Sequence, residues 1–211
     1  VDAVAGGRGG LGLRAAALLV AGGARGVVLA SRSGRVVRDG QGVAARLESS
    51  GAAGVVVASD GADAHEASAL VCVWPIVGVL HAAGVLRDRM LRAMSADDVH
   101  ASYAPKAAGA ALLHFAATRG LEAFGLFSSV ASTFGNIGQA NYAAANACLD
   151  AHALAQRACS MVACSLQWPL VGGAGMGAAA FAALAERQVA VVGMAGISLE
   201  EYAVCLRVQL T

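Results

Sequence analysis

Short apolar runs rich in β-branched residues alternate along this chain with longer stretches rich in Ala and Leu. The short runs predict strands at residues 2–5, 26–30, 54–59, 76–81, 123–129 and 161–168. The longer stretches predict helices at residues 11–21, 42–49, 64–71, 96–119 and 139–158. Apolar strands that alternate with helices are typical of a parallel sheet covered on both faces. The sequence therefore predicts a doubly wound α/β fold.

The alternation weakens after residue 168. Residues 172–177 predict a mobile loop, residues 178–187 a short helix, and residues 198–209 a last helix in which Ser198 and Glu201 form a capping box. A chain of 211 residues can build one sizeable core and is too short for two ordinary enzyme domains, so we expect a single domain over residues 1–211. The chain starts at Val1 without Met, and we interpret it as a segment of a longer protein.

The charges of the chain nearly cancel, with 15 Lys and Arg against 14 Asp and Glu. Such a balance lacks the positive surface that attracts polyanions, so we expect no nucleic-acid partner. The longest uncharged stretch, residues 158–185, is as long as a membrane span, but Pro169 and several Gly and polar residues interrupt it. We therefore expect no membrane segment either.

The five cysteines lie in apolar stretches, with neither a Cys-x-x-Cys pair nor the Cys and His spacing of a metal site. They are Cys72, Cys148, Cys159, Cys164 and Cys205. This pattern predicts buried free thiols in a reducing compartment such as the cytoplasm, and no metal.

A glycine-rich loop follows the first predicted strand and leads directly into the first predicted helix. It consists of Gly6, Gly7, Arg8, Gly9, Gly10, Leu11 and Gly12. Such a loop lets a pyrophosphate approach backbone N–H groups at a helix N-terminus, where a Cβ would obstruct it. The position favours a Rossmann-type dinucleotide fold, although the 27 glycines of this chain leave a simple tight turn as an alternative.

The ends of the next strands suggest which dinucleotide binds. Ser31, Arg32 and Ser33 end the second strand, where an acidic residue would select NAD and an Arg with hydroxyl neighbours suits the 2′-phosphate of NADP. Asp60, with Gly61 beside it, closes the third strand, where a carboxylate can accept from an adenine amino group. An exposed surface Arg and an ordinary loop Asp are the alternatives for Arg32 and Asp60.

The fourth strand ends in His81, followed by Ala82, Ala83 and Gly84. The three small residues would let the backbone approach a cofactor ribose. His81 is a lone histidine, and we expect a core residue with satisfied hydrogen bonds rather than a catalytic residue.

A second group of polar residues follows the fifth strand. Ser129 lies at its end, Tyr142 comes thirteen positions later, and Asn146 lies one turn further on the same helix face. Lys106 is the only lysine among 15 basic residues. A solvated helix face would accept Arg equally well, so a single Lys favours a point donor near the tyrosine over a surface position.

Together these stretches resemble the ketoreductase domains of polyketide synthases and animal-type fatty acid synthases, within the short-chain dehydrogenase/reductase superfamily. The residues that carry the resemblance are Gly6–Gly12, Ser31–Gly34, His81–Gly84, Pro105 and Lys106, Phe127–Ser129, Tyr142 to Asn146, and Gln167 with Trp168. Most relatives in the superfamily have Lys four positions after the Tyr. This family carries Asn there and Lys on the preceding helix, as this chain does.

The resemblance implies that a β-ketoacyl thioester on an acyl carrier protein is reduced to a β-hydroxyacyl thioester with NADPH. Ser129 would hydrogen-bond the substrate oxygen and Tyr142 would donate a proton to it. Lys106, with the nicotinamide cation, would lower the pKa of Tyr142 and bind the nicotinamide ribose. Asn146 would hold the lysine or a water, and Trp168 and Pro169 would lie near the nicotinamide.

The resemblance also implies a division of the chain and further partners. Residues 1–95 would bind the cofactor, residues 96–177 would carry catalysis, and residues 172–190 would form a lid. A pseudo-reductase half normally precedes this segment, a seventh strand normally ends it, and other synthase domains accompany it. Neither the pseudo-reductase half nor the seventh strand is predicted within this chain.

Product configuration is implied by three residues. Family members that give D-hydroxy products share a Leu-Asp-Asp signature, of which Leu86 and Asp88 keep the first and last residues. Members that give L products usually carry Trp eight positions before the Tyr, where this chain has Phe134. The resemblance therefore favours the D product, with Asp88 as an ordinary loop acid the alternative.

Three departures from the family pattern leave other functions open. Ala5 replaces a Thr that ties the glycine loop to a neighbouring strand, Pro169 replaces a Gly, and residues 60–81 are shorter than usual. These favour a catalytically silent nucleotide-binding or scaffolding module. A free-standing reductase of small ketones is a further alternative, but it would have Lys in place of Asn146.

Overall fold

A six-stranded parallel sheet forms the centre of the molecule in the computed structural model, which describes residues 1–7, 9–35, 42, 49, 51–117, 120–186 and 196–210. The strands are β1 (Asp2–Ala5), β2 (Gly26–Ser31), β3 (Ala53–Ala58), β4 (Gly78–His81), β5 (Ala123–Ser129) and β6 (Cys164–Trp168). Their order is β3-β2-β1-β4-β5-β6, with all neighbours parallel. This is the order of a Rossmann-type sheet, so the predicted fold class is confirmed.

Helices connect the strands and cover both faces of the sheet. They are α1 (Gly10–Ala21), α2 (Ala64–Val73), α3 (Ala96–Tyr103), α4 (Gly109–Ala116), α5 (Ala131–Phe134), α6 (Ala140–Ala158), α7 (Ala178–Glu186) and α8 (Leu199–Gln209). The predicted capping box is confirmed at α8, where the Ser198 hydroxyl accepts from the Glu201 N–H and the Glu201 carboxylate accepts from Ser198. Of the predicted helix at 42–49, residues 43–48 lie outside the described residues, as do Thr118, Arg119 and Arg187.

Two apolar cores lie on opposite faces of the sheet. Val4 of β1 points into the core beneath α1 and α8, whereas its neighbours Ala3 and Ala5 point into the core beneath α2, α4 and α6. Alternate side chains of a strand face opposite sides, so the three consecutive apolar residues of β1 serve both cores. The small side chains of α1 keep this helix close to the sheet.

Two strands are shorter than predicted. β4 begins at Gly78 rather than at residue 76, because its neighbour β1 pairs only from Asp2, opposite Gly78. β6 begins at Cys164 rather than at residue 161, because the N–H of Met161 still bonds back to the carbonyl of Gln156 at the end of α6. In both strands the apolar pattern continues beyond the residues that find a pairing partner.

The helix predicted at 96–119 is interrupted. A π turn at Ala104–Ala108 separates α3 from α4. Pro105 lies at the start of this turn, and its ring cannot donate to the regular i→i−4 ladder. The interruption falls on the turn that carries Lys106.

The cysteines are free, but the prediction that they are buried is wrong. Cys148 is half-buried, and the other four, Cys72, Cys159, Cys164 and Cys205, are exposed. Neighbours on the same elements, such as Leu70 and Leu206, fill the core positions instead.

Helices that could span a membrane and side-chain groups that could bind a metal ion are absent from the described part of the chain. None of its helices is long and apolar enough to cross a membrane, and its His, Cys, Asp and Glu side chains form no group suited to a metal ion.

Candidate active site

Two adjoining clefts open at the carboxyl ends of the strands. The glycine cleft, of about 300 Å³, lies at the ends of β1, β2 and β4. The tyrosine cleft, of about 360 Å³, lies at the ends of β5 and β6. Leu11, Ala82 and Met176 line both clefts, so the two form one continuous depression. It lies where the strand order reverses between β1 and β4, which is where open α/β sheets bind ligands.

Most of the residues predicted to bind a cofactor line the glycine cleft. They are Gly6, Gly9, Gly10, Leu11, Gly12, Ser31, Arg32, Asp60, Gly61, Ala82, Ala83 and Gly84. Gly7 is buried behind the loop, and Ser33 does not line the cleft. Arg8 lies outside the described residues. The glycine loop and three strand ends therefore meet as the sequence predicted.

Gly6 packs closely against the chain that follows β4. Its φ of 76° lies in the left-handed region, and a Cβ built there would be 2.5 Å from the N atom of Ala83. The loop is tied to β2 by a bond of 2.9 Å from the Gly6 N–H to the Ala30 carbonyl, which needs no hydroxyl from Ala5. Glycine at this position therefore lets the loop pack against the chain that follows β4.

Arg32 and Asp60 line the glycine cleft where β2 and β3 end. Arg32 is exposed, so its guanidinium is free to reach a ligand phosphate. One oxygen of Asp60 accepts from the N–H of Ala62 at 3.0 Å, which leaves the other oxygen as an acceptor. Both positions suit the adenosine end of a dinucleotide.

Lys106 is the best-fixed polar side chain in the tyrosine cleft. It is 3% exposed, and its Nζ donates to the carbonyl of Phe127 at 2.9 Å. The same Nζ lies 5.1 Å from the centre of the Tyr142 ring. A Cβ at Gly84 would lie 2.9 Å from the Cε of Lys106, so the predicted small residues after β4 also make room for this lysine.

Ser129 and Tyr142 line the same cleft as Lys106. The Ser129 hydroxyl accepts from the Ala131 N–H at 3.2 Å and keeps its own proton available. Asn146 lies behind the cleft, 0% exposed, and its Nδ2 donates to the Tyr142 carbonyl at 2.8 Å. The expectation that Asn146 holds the lysine is not seen, because its amide turns to its own helix and Lys106 bonds to Phe127.

Burial is the main influence on the ionisation of Tyr142. Burial raises the pKa of the Tyr142 phenol above its ordinary value, and the side chains of Asn146 and Ser129 oppose this effect. Burial also lowers the pKa of Lys106 to about 7, against the opposing charge of Asp150. The positive charge that Lys106 carries lies 5.1 Å from the centre of the Tyr142 ring, where it would favour a phenolate.

The predicted substrate residues are only partly brought together. Leu86 and Asp88 line the tyrosine cleft, but Phe134 on α5 is 68% exposed and does not. Trp168 and Pro169, which were predicted to lie near the nicotinamide, line the same cleft. The placement of Phe134 as a cleft residue is therefore corrected. α5 is a single turn that ends at Gly135, so its last side chain points to the surface.

Two polar residues that the sequence analysis missed hold the cleft together from behind. Asn141, beside Tyr142, is 3% exposed and bonds the loop after β4. Asp150 accepts from the hydroxyl of Ser132 at 2.7 Å and from the amide of Gln167 at 2.8 Å. Burial would raise the pKa of Asp150, but the hydrogen bonds from Ser165 and Ser132 outweigh it and keep the carboxylate ionised. The one available sequence signal was the spacing of Asp150, eight residues after Tyr142 on the same helix face.

The loop at residues 172–177 lies over the glycine loop. A Cβ at Gly10 would clash with the Cβ of Ala174, and Gly175 lies against Leu11. At the base of the loop, the Gly172 N–H donates to the carbonyl of Ile197 at 2.9 Å. The hydroxyl of Tyr202 on α8 donates to the carbonyl of Leu11 at 2.9 Å, so the last helix is also tied to the glycine loop.

Comparison with known proteins agrees with this geometry. The family model described as KR domain matches residues 2–173. This chain belongs to the KR domain family. The KR domain is therefore of the ketoreductase type found in polyketide synthases, and the resemblance predicted from its sequence is confirmed.

Relatives of this KR domain are much longer proteins. It is 41% identical over 205 residues to the spectinabilin polyketide synthase system protein NorB of Streptomyces orinoci, covering 94% of this chain and 9% of that protein. It is 45% identical over 158 residues to the polyketide synthase GfsA of Streptomyces halstedii, covering 72% of this chain and 2% of that one. The KR domain thus spans a small part of the curated relatives it matches.

A solved structure has the same architecture. The first ketoreductase of the tylosin PKS superimposes with a TM-score of 0.84 at 36% identity, covering 99% of the KR domain and 45% of that chain. The sheet and both clefts are therefore built on a scaffold shared with a polyketide synthase ketoreductase.

Proposed function

We propose that this KR domain reduces a β-ketoacyl thioester, carried on an acyl carrier protein, to a β-hydroxyacyl thioester with NADPH. The observation that carries the proposal is the convergence of Lys106, Ser129 and Tyr142 on one cleft that adjoins a glycine-lined cleft. Bound in the glycine cleft, NADPH would supply the hydride. Gly9, at the N-terminus of α1, lines this cleft without a side chain, which fits the pyrophosphate of such a cofactor.

Each polar side chain of the tyrosine cleft has a role that its geometry permits. Negative charge develops on the carbonyl oxygen of the substrate during reduction, and the Ser129 hydroxyl is free to donate to it. The raised pKa of Tyr142 keeps its phenol protonated, so the phenol can give a proton to the same oxygen. Lys106 lies beside the ring and favours the phenolate that forms.

The 2′-phosphate of NADPH would lie against Arg32. Its exposed guanidinium at the end of β2 can make the charge-assisted bonds that a phosphate favours, and Ser31 offers a hydroxyl beside it. The described end of β2 has no acidic side chain to accept the ribose hydroxyls of NAD.

The D-hydroxy configuration is proposed for the product. Asp88 lines the tyrosine cleft, and its carboxylate accepts from the Gln139 amide at 3.0 Å, which fixes it on one side of the opening. Phe134, at the position where members that give L products usually carry Trp, lies outside the cleft.

A silent scaffolding module is the alternative function. It is favoured by Pro169 beside the site and by the short α2, which has only 10 residues. The complete set of Lys106, Ser129, Tyr142 and Asn146 argues against it, since a silent module has no need of these side chains.

The test follows NADPH oxidation by absorbance with a short β-ketoacyl N-acetylcysteamine thioester, for the wild type, Tyr142→Phe and Tyr103→Phe. Turnover should be lost in Tyr142→Phe and retained in Tyr103→Phe, because Tyr103 bonds to Cys148 and does not line the cleft. Chiral analysis of the product should give the D-hydroxy form. Folded wild-type protein that binds NADPH and consumes none, even when supplied with the segment that precedes it, would refute the reductase and support the scaffolding module.

A further inference from the structure

His81 is a buried titratable residue that the proposed chemistry does not use. It ends β4, is 0% exposed, and its Nε2 lies 3.0 Å from the main-chain carbonyl oxygen of Lys106. A carbonyl oxygen only accepts, so Nε2 carries the proton and donates. Burial, with the positive charge of Lys106 as a second cause, lowers the pKa of His81 to about 4, so the ring is neutral at pH 7.

The carbonyl that His81 binds belongs to the π turn at Ala104–Ala108. Helical hydrogen bonding is irregular in this turn, since the N–H of Gly109 is shared between the carbonyls of Ala104 and Lys106. A shared donor leaves the Lys106 carbonyl with acceptor capacity that an outside group can use. His81 supplies this donor from the neighbouring strand.

The ring also packs closely against the turn. A Cβ at Gly109 would lie 3.3 Å from the Cε1 of His81, which is tighter than ordinary contact. Lys106 is then held at both ends, its backbone by His81 on β4 and its amine by the Phe127 carbonyl on β5. These strands are paired neighbours in the sheet, so the distance between the two anchors is fixed by the ladder.

We propose that His81 is a positioning residue, whose ring N–H holds the π turn and thereby sets where the Lys106 amine lies between the Phe127 carbonyl and the Tyr142 ring. This role of His81 is to fix the position of the Lys106 amine. Only the expected effect on turnover rests on the proposed function.

Lys106 allows a direct test because it is the only lysine of the chain. Protein labelled with 13C-lysine gives a single Cε resonance, whose titration reports the surroundings of Lys106 without any turnover. The wild type is compared with His81→Leu, which removes the donor, with His81→Gln, which keeps an N–H near the Nε2 position, and with His114→Leu. The last is a control, because His114 on α4 contacts Phe124 and His152 and makes no bond to the π turn.

The expected result is a higher titration midpoint in His81→Leu, moving from the low wild-type value toward the ordinary lysine pKa of about 10.4 as the amine leaves its buried place. His81→Gln and His114→Leu should keep the wild-type midpoint to within about one unit. A folded His81→Leu protein with the wild-type resonance and midpoint overturns the proposal.

A second measurement needs no variant. The 15N shifts of the His81 ring in the wild-type protein should show the tautomer protonated at Nε2, and a ring protonated only at Nδ1 overturns the proposal even if His81→Leu does not fold. In turnover, kcat should fall about ten- to a hundredfold in His81→Leu, since a displacement near 1 Å has that effect, and His81→Gln should restore it. Absence of turnover in the wild type would refute the proposed function, while the lysine titration still decides the role of His81.

Discussion

The side-chain nitrogen of Asn141 lies 2.9 Å from the carbonyl oxygen of Arg87, 54 residues away in the chain. The same nitrogen lies 2.9 Å from the Asp98 carbonyl and 3.1 Å from the Ser102 hydroxyl. The side-chain oxygen accepts from the N–H of Tyr142 at 2.8 Å. One buried amide thus joins the loop after β4, α3 and the start of α6, and the loop and the start of α6 both line the tyrosine cleft.

Replacing Asn141 with Ala should lower the free energy of unfolding by about 2–3 kcal/mol, because several buried polar groups lose their partner at once. The measurement is urea unfolding followed by circular dichroism. Asn136→Ala is the matched control, since the exposed Asn136 bonds only to the Gln139 side chain, and it should change stability by less than about 0.5 kcal/mol. Equal losses in the two variants would contradict the joining role of Asn141.

Gly6→Ala should separate a steric effect from a backbone effect when it is compared with Gly51→Ala. Both glycines have positive φ, of 76° and 67°, but among the residues that the structure describes a Cβ at Gly51 meets no atom within 4 Å. Gly51→Ala should cost about 1 kcal/mol from backbone strain alone. Gly6→Ala should cost more than about 3 kcal/mol and abolish NADPH binding, because its Cβ meets the backbone of Ala83. Thermal unfolding and NADPH fluorescence titration measure the two effects, and similar stabilities would show that the loop can move aside.

Arg32→Ala should weaken NADPH binding about ten- to a hundredfold, the loss of one or two charge-assisted hydrogen bonds, and leave NADH binding unchanged. Arg25→Ala is the control, because Arg25 is also exposed but lies next to the opposite end of β2, away from both clefts. Calorimetric titration with each cofactor is the measurement. If Arg32→Ala weakens both cofactors equally, Arg32 does not read the 2′-phosphate.

The stability of the KR domain should fall as the pH drops from 6.5 toward 4, in part because of His81. Burial holds the pKa of His81 at about 4 in the folded chain, so the unfolded chain binds the proton first. The free energy of unfolding therefore falls by about 3 kcal/mol between pH 6.5 and pH 4 because of His81. Below pH 4 His81 causes no further loss. Burial lowers the pKa values of His114 and His152 too, so their losses add to that of His81.

The contribution of His81 is isolated by difference. Urea unfolding at pH 7 and pH 4.5 is compared for the wild type and His81→Gln, and the wild type should lose more stability between the two. Parallel losses in both proteins would assign the pH dependence to other groups.

Local patterns in the sequence were enough to predict the sheet and the position of the clefts. Every predicted strand is present, because apolar runs between helices have few other ways to pack. The glycine loop and the strand ends at Ser31 and Gly84 were placed by the general rule that parallel strands end at one edge. The cleft residues Lys106, Ser129 and Tyr142 were found because their types and spacing are unusual in this chain.

Features that depend on distant partners were missed. Asn141 and Asp150 bond to residues brought close only by the fold, and the spacing of Asp150 from Tyr142 was the one local signal. Pro105 was visible in the sequence, but the hydrogen bond that the π turn receives from His81 comes from another strand. Phe134 on α5 and Cys72 on α2 are exposed because the opposite face of each helix packs inward. An Ala-rich sequence does not specify which face of a short helix that will be.

The bond between Tyr202 and Leu11 bears on how this chain could be moved between synthases. The family model ends at residue 173, yet Tyr202 and Leu206 are 0% exposed in the core beneath α1, and the Tyr202 ring lies 4.6 Å from that of Trp168. An exchange boundary placed at residue 173 would strip this cover from the glycine loop and open the core. A graft that keeps the chain through Leu210 retains Tyr202 and Leu206, and with them the contacts that cover the glycine loop and the core beneath α1.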